Sequence, residues 1–182
     1  LLRRIEAISK FDIFELFVVE YTNFSDHYVV QKNQIKELVK PENFWTLDQD
    51  KYQVINIIKD NNIDIVHIDE ILEGFGQDVS NTLIKDLYDN NRTWKIVETC
   101  HNVWFEPNSN KKFHPEAYAF CTPWHKEMSF SKMPSYSEVM QFPIENKVPS
   151  YEEKYNSKIK LGLDTNKKHV INVGLWTSGK NQ

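Results

Sequence analysis

The sequence predicts an α/β fold in which a parallel β-sheet carries helices on both faces. Three features lead to that prediction. Residues 63–68 and 93–100 are short runs of nearly continuous apolar character, as expected of strands covered on both sides. Segments with a helical stripe alternate with them across short polar joints, which is the pattern of βαβ units. Both runs also turn polar at the same end, one into His67, Asp69 and Glu70, the other into His101 and Asn102. In open α/β sheets ligands collect beyond the carboxyl ends of the strands, so two neighbouring polar ends suggest a site.

Taken in order, residues 1–8 place apolar side chains at 1, 2, 5 and 8, one face of a helix. Residues 12–21 are dense in β-formers and read as a strand; residues 22–26 form a polar loop. A short strand at 28–30 and a helix at 34–39 follow, the helix stopped by Pro41. Residues 44–48 introduce the next helix, with Asp48 as N-cap and a stripe of Tyr52, Val54, Ile55, Ile57 and Ile58 ending at Asn61-Asn62. Gly74 and Gly76 break the chain before a helix at 79–88, apolar at 79, 83, 84 and 87. After the strand at 93–100, residues 117–123 and 139–144 read as two more, the last ended by Pro143. Residues 145–168 are polar, with Pro149 and one amphipathic helix at 150–161, and read as a linker. Residues 169–176 then form a fresh buried strand. No internal repeat or low-complexity tract is present.

Composition narrows the class. The chain has 182 residues, is 40% hydrophobic and 13% aromatic, and carries a formal net charge of -4, which supports a packed core and argues against disorder. Lys111-Lys112 and Lys167-Lys168 are only pairs, so the basic face of a nucleic-acid binder is missing. No apolar run approaches the ~20 residues a membrane span requires, and no signal peptide stands at the start. Cys100 and Cys121 both lie in apolar, strand-like runs and read as buried free thiols of a reducing, cytoplasmic compartment. The chain opens on Leu1 without Met and closes just after a strand, so it reads as a piece of a longer protein.

Several groups could carry chemistry. His101 at a strand end can accept a proton or hydrogen-bond a substrate hydroxyl, although a core histidine bonded to backbone is the blander reading. Along a strand His67 and Asp69 point to one face, and Ile68 and Glu70 to the other, so all four share a pocket only if the strand has ended by residue 69. Capping of a helix near Ile71 by Asp69 or Glu70 is the alternative. Cys100, His101, Cys121 and His125 lack the spacing of a zinc site, and buried thiols are hard to ionise, which argues against a catalytic cysteine. Trp104, Phe105 and Trp124 could stack on a sugar, or belong to a core. Last, a strand ending in Gly174 is followed by Gly179 and Lys180. Such a turn exposes backbone N–H groups to a phosphate, with Lys180 adding charge. It is not the phosphate loop of nucleotide triphosphatases, because Asn181 stands where Ser or Thr would follow.

The stretch from Val170 to Gln182, preceded by Leu161-Gly-Leu-Asp164, resembles the opening of the donor domain in glycosyltransferases of the GT-B fold, family 4 type. The ends Asp64-Ile-Val-His67 and Glu98-Thr-Cys-His-Asn102 are similar to strand ends of the acceptor domain in that family. Leu175 stands where an Arg commonly follows the glycine, and the glycine-rich loop after the family's first strand is not visible. The resemblance implies a Rossmann-like acceptor-binding domain at residues 1–144, with residues 145–182 the linker and the start of a donor-binding domain. It implies that a nucleotide-sugar donates its sugar to a saccharide or other hydroxyl acceptor, with retained configuration, without metal or cofactor, and compatibly with peripheral membrane association. His101 would be the catalytic residue, and Gly174 and Lys180 would hold the donor diphosphate. His67, Glu70, Asn102 and Trp104 would contact acceptor or sugar. A GT-B-type nucleotide-sugar epimerase and a non-catalytic α/β binding module are the alternatives.

Overall fold

In the computed structural model of the chain, the structure describes residues 1–21, 31–69, 82–101, 113–130, 135–141 and 148–170. The chain separates into two compact units, Leu1–Ile144 and Glu145–Gln182. The first is an α/β unit with parallel sheets, Rossmann-like in class. Its elements are α1 (Leu2–Ile8), β1 (Val18–Glu20), α2 (Lys32–Leu38), β2 (Phe44–Thr46), α3 (Gln53–Asp60), β3 (Ile65–Ile68), α4 (Thr82–Leu87), β4 (Lys95–Cys100), β5 (Ala117–Phe120), α5 (Pro123–Phe130) and β6 (Tyr136–Val139). Strands β3 to β6 form one sheet in sequence order, and β1 pairs with β2 in another. Every pairing is parallel.

Helices α3 and α4 cover one face of the four-stranded sheet. Ile55 and Ile58 of α3, Leu83, Ile84 and Leu87 of α4, and Tyr88 and Trp94 bury against Ile68 and Ile96. Each such aliphatic side chain contributes about 1.5–3 kcal/mol on leaving water. Because side chains alternate along a strand, Glu98 and Cys100 share the Ile96 face. There Tyr88 donates its hydroxyl hydrogen to Glu98 Oε1, and Cys100 packs with Tyr118 and Phe120. Helix α5 closes the same layer by setting His125 edge-on to Phe120, 4.9 Å between ring centres. The opposite face carries Val97, Thr99 and His67, and α1 reaches it through Arg4. A smaller core of Leu2, Ile5, Ile35 and Val39, joined by Leu16, Val18 and Phe44, ties α1 and α2 to the β1–β2 pair.

Several expectations need correction. The strand at 12–21 shrinks to Val18–Glu20, and Phe11, Ile13 and Phe14 lie exposed; β-forming residues without a partner strand gain no ladder. Residues 44–48 do not introduce a helix. Phe44, Trp45 and Thr46 pair with Val18, Val19 and Glu20 as β2, and Asp50, not Asp48, receives a hydrogen bond from the backbone at Tyr52 just before α3. The strand at 117–123 stops at Phe120, because Thr122 and Pro123 open α5. Thr122 Oγ1 accepts from the backbone N–H of His125, and proline suits the first helical turn, where its missing N–H costs nothing. The last strand is Tyr136–Val139 rather than 139–144.

In the second unit, Ser150 and Glu153 form a reciprocal capping box at the start of α6 (Tyr151–Lys160). Gly162, at φ +67, ends it in the left-handed region. His169 and Val170 are exposed and not in a strand, against the expected buried strand at 169–176; its remaining residues lie outside those described.

Candidate functional site

The carboxyl ends of β3 and β4 meet as neighbours, with Ile68 in register with Glu98. Beyond that point the side chains on the α1 face form one hydrogen-bonded network. Arg4 Nη1 donates to Thr99 Oγ1 at 2.8 Å and to Asp69 Oδ1 at 3.3 Å. His101 Nε2 lies 2.6 Å from the same carboxylate oxygen, and His67 Nε2 lies 2.7 Å from Thr99 Oγ1. Cys121 Sγ stands 3.6 Å from His101 Nδ1. Residues 67, 69, 99 and 101 reach one side because they are two apart on adjacent strands.

Proton positions follow from donor and acceptor roles. An ionised Asp69 only accepts, so His101 Nε2 carries the hydrogen that points at it. His101 Nδ1 then faces the Cys121 sulfur as an acceptor. Thr99 accepts from Arg4, which leaves its own hydroxyl hydrogen for His67 Nε2 and makes His67 the neutral, Nδ1-protonated tautomer. For Asp69, desolvation is the largest single influence and acts upward. The His101 hydrogen bond and the charges of His101, Arg4 and His67 together outweigh it and hold the carboxyl below its ordinary range. His67 as a whole is exposed. Its ring nevertheless sits close enough to protein for desolvation to hold it below the usual imidazole range. The Arg4 guanidinium acts in the same direction and Asp69 against it.

Burial separates the members. Arg4 is 5% exposed, whereas the His101 and Asp69 side chains are 27% and 26% exposed. The cation is a buried brace, and the imidazole and carboxylate are within reach of a ligand. An imidazole fixed at one nitrogen by a carboxylate can orient a hydroxyl or exchange a proton through the other.

Of the site residues read from sequence, His101 and His67 belong to this network. Glu70, Asn102, Trp104, Gly174 and Lys180 lie outside the described residues. Trp124 is exposed on the first turn of α5. Asp69 sits between Arg4 and His101. Cys121 is half-buried, not buried in a strand as expected; only Cys100 is buried. Arg4 and Thr99 were missed. The signal for Arg4 was available, since position 4 falls inside the helical stripe 1–4–5–8. A cavity of about 640 Å³, lined by Lys85, Arg92, Phe113 and Glu116 among others, borders the residues just before β4 and β5. That is the amino end of the strands, away from the network and from where open parallel sheets hold ligands.

In comparisons with family models, with curated proteins and with solved structures, nothing matches this chain.

Proposed function

We propose that this chain is the acceptor-side part of a GT-B-type glycosyltransferase, moving a sugar from a nucleotide-sugar to a hydroxyl acceptor. One observation carries the reading: the His101–Asp69 pair stands half-open at the carboxyl ends of two adjacent parallel strands. That is where such sheets hold ligands. Positioned polar groups are what a transfer between sugars requires, since its rate depends on placing acceptor oxygen and anomeric carbon and on stabilising the departing diphosphate.

In this reading His101, oriented by Asp69, meets a hydroxyl of the donor sugar or the acceptor through Nδ1, the ring nitrogen that faces Cys121. The sulfur contact at 3.6 Å is weak enough for a substrate oxygen to replace it. His101 and Arg4 together hold the Asp69 carboxyl below its ordinary range against its desolvation, and the exposed Trp124 ring offers a stacking surface to a pyranose. Gly174 and Lys180 would hold the diphosphate.

The test is titration of UDP- and GDP-sugars followed by a transfer assay with simple saccharide acceptors. One donor is expected to bind, Lys180→Ala to weaken it about tenfold, and folded His101→Ala to lose turnover by ~10²-fold, the usual cost of removing one positioned polar group. Failure of every sugar nucleotide to bind, or turnover in His101→Ala equal to the parent, rejects the reading.

A further inference from the structure

Cys121 is placed unlike an ordinary surface thiol. Its sulfur faces His101 Nδ1 at 3.6 Å, while the other ring nitrogen of His101 is held 2.6 Å from Asp69. Cysteine, imidazole and carboxylate therefore stand in series, the carboxylate fixing the tautomer whose Nδ1 faces the sulfur and can take the thiol proton. Cys121 also comes immediately before Thr122, the residue that caps α5, so its backbone lies near the positive end of that helix. An adjacent imidazolium and a helix N-terminus are the two environments that most often make a thiol reactive. Cys121 is half-buried and Cys100 buried on the other face of β4, so the two thiols differ in access as well as neighbours.

We propose that Cys121 is a nucleophilic thiolate activated by His101 and Asp69, and a site of covalent modification by soft electrophiles such as hydrogen peroxide. The sulfur attacks one peroxide oxygen, an S–O bond forms and the O–O bond breaks. The proton held on His101 Nδ1 joins the departing hydroxide. Sulfur loses two electrons to peroxide, leaving a sulfenic acid and water. Because Cys100 packs on the opposite face, reduction falls to an external thiol and not to an internal disulfide. Among the described residues, the charged and titratable groups around the pair are Arg4 from α1, His67 from β3 and Asp69 just beyond it, whereas His125 of α5 lies against Phe120 on the opposite face.

The inference goes beyond sugar transfer and shares His101 and Asp69 with it. The experiment uses no sugar nucleotide, so its failure leaves transfer standing, and the converse holds. Iodoacetamide labelling of each cysteine is followed by mass spectrometry at pH 6.5 and 8.5, in the folded protein and in the denaturant-unfolded chain. At pH 6.5 an ordinary thiol is about 1% ionised, so full ionisation raises the reactive fraction ~100-fold. The weaker nucleophilicity of a more acidic thiolate takes back about tenfold. Cys121 in the folded protein is thus expected to react about tenfold faster than in the unfolded chain at pH 6.5, and about fivefold slower at pH 8.5, where an ordinary thiol is already about half ionised. Peroxide followed by dimedone should tag Cys121 and spare Cys100.

His101→Gln and Asp69→Asn should each bring the Cys121 rate at pH 6.5 down to the unfolded value. Continued protection of Cys100 reports an intact sheet in each variant. Where a variant exposes Cys100, the comparison of folded and unfolded parent protein decides by itself. A folded-state Cys121 rate at pH 6.5 no higher than the unfolded one, or one indifferent to His101→Gln in a protein that still protects Cys100, overturns the proposal.

Discussion

Arg4→Met tests how the network is held together. The substitution keeps most of the apolar stem on the α1 face and removes the guanidinium. The contacts of 2.8 Å to Thr99 and 3.3 Å to Asp69 are lost. Hydrogen bonds involving a charged group contribute about 1.5–3 kcal/mol each. The longer one ends on a carboxylate that is 26% exposed, so water replaces part of it and its share falls to the low end. Against this stands the cost of burying a cation, which the variant no longer bears. The expected net loss is about 2–3 kcal/mol, measured by urea denaturation; for a unit of this size ~1 kcal/mol moves Tm by about 3 °C, so a fall of roughly 6–9 °C accompanies it. A second readout separates charge from packing. Arg4 helps hold both His67 and Asp69 below their ordinary ranges, so both titration midpoints should rise in the variant when followed by NMR. Arg4→Lys should recover the midpoints only in part, since Nη1 donates to both partners and the shorter lysine side chain sets its ammonium short of that position. A stability change within ~0.5 kcal/mol, or an unmoved His67 midpoint, would refute the brace.

Three further outcomes follow from the same structure. His67 is held below the unfolded imidazole value, so its contribution to stability is fully present above about pH 6.5 and is lost as pH falls through the folded midpoint; His67→Gln should flatten that part of the stability–pH curve. Asp69 is depressed too, so its contribution is present above about pH 3.9 and is lost as pH falls through the folded value, and Asp69→Asn should remove that acid limb in urea midpoints taken down to pH 2. In the core, Ile96→Ala at a fully buried position facing α3 and α4 should cost about 2–5 kcal/mol, whereas Ser150→Ala at an exposed helix start should cost only ~1 kcal/mol, both read by denaturant melts.

What could be read from the chain depended on whether a local pattern matched the force that decides the structure. β3 and β4 were legible as neighbours because Ile65, Val66, Ile68, Ile96 and Val97 are apolar in a run and α4 lies between them. Their polar ends were legible for the same reason, since a strand leaving the core must change character there. Phe44-Trp-Thr was not, because a three-residue strand has no period of its own and exists only through pairing with Val18–Glu20. Residues 12–17 failed in the opposite sense, with strong propensity and no partner. Pro123 was read as the last residue of a strand when, with Thr122 before it, it marked the first turn of α5. That displacement hid Cys121 in an imagined strand and with it the contact to His101. Arg4 could be placed on the helical face but not given its partners: a buried cation is defined by the carboxylate and hydroxyl it meets, and those lie 65 and 95 residues away.

The His101 imidazole can be observed directly as ligands are added. In long-range ¹H–¹⁵N spectra of the imidazole nitrogens, titration with UDP- and GDP-sugars should move the His101 signals, with His67 following through Thr99 and Arg4, while buried His125 stays still. If saturating amounts of every sugar nucleotide leave His101 where it stands in the free protein, the strand-end pair is not the site where sugar is transferred.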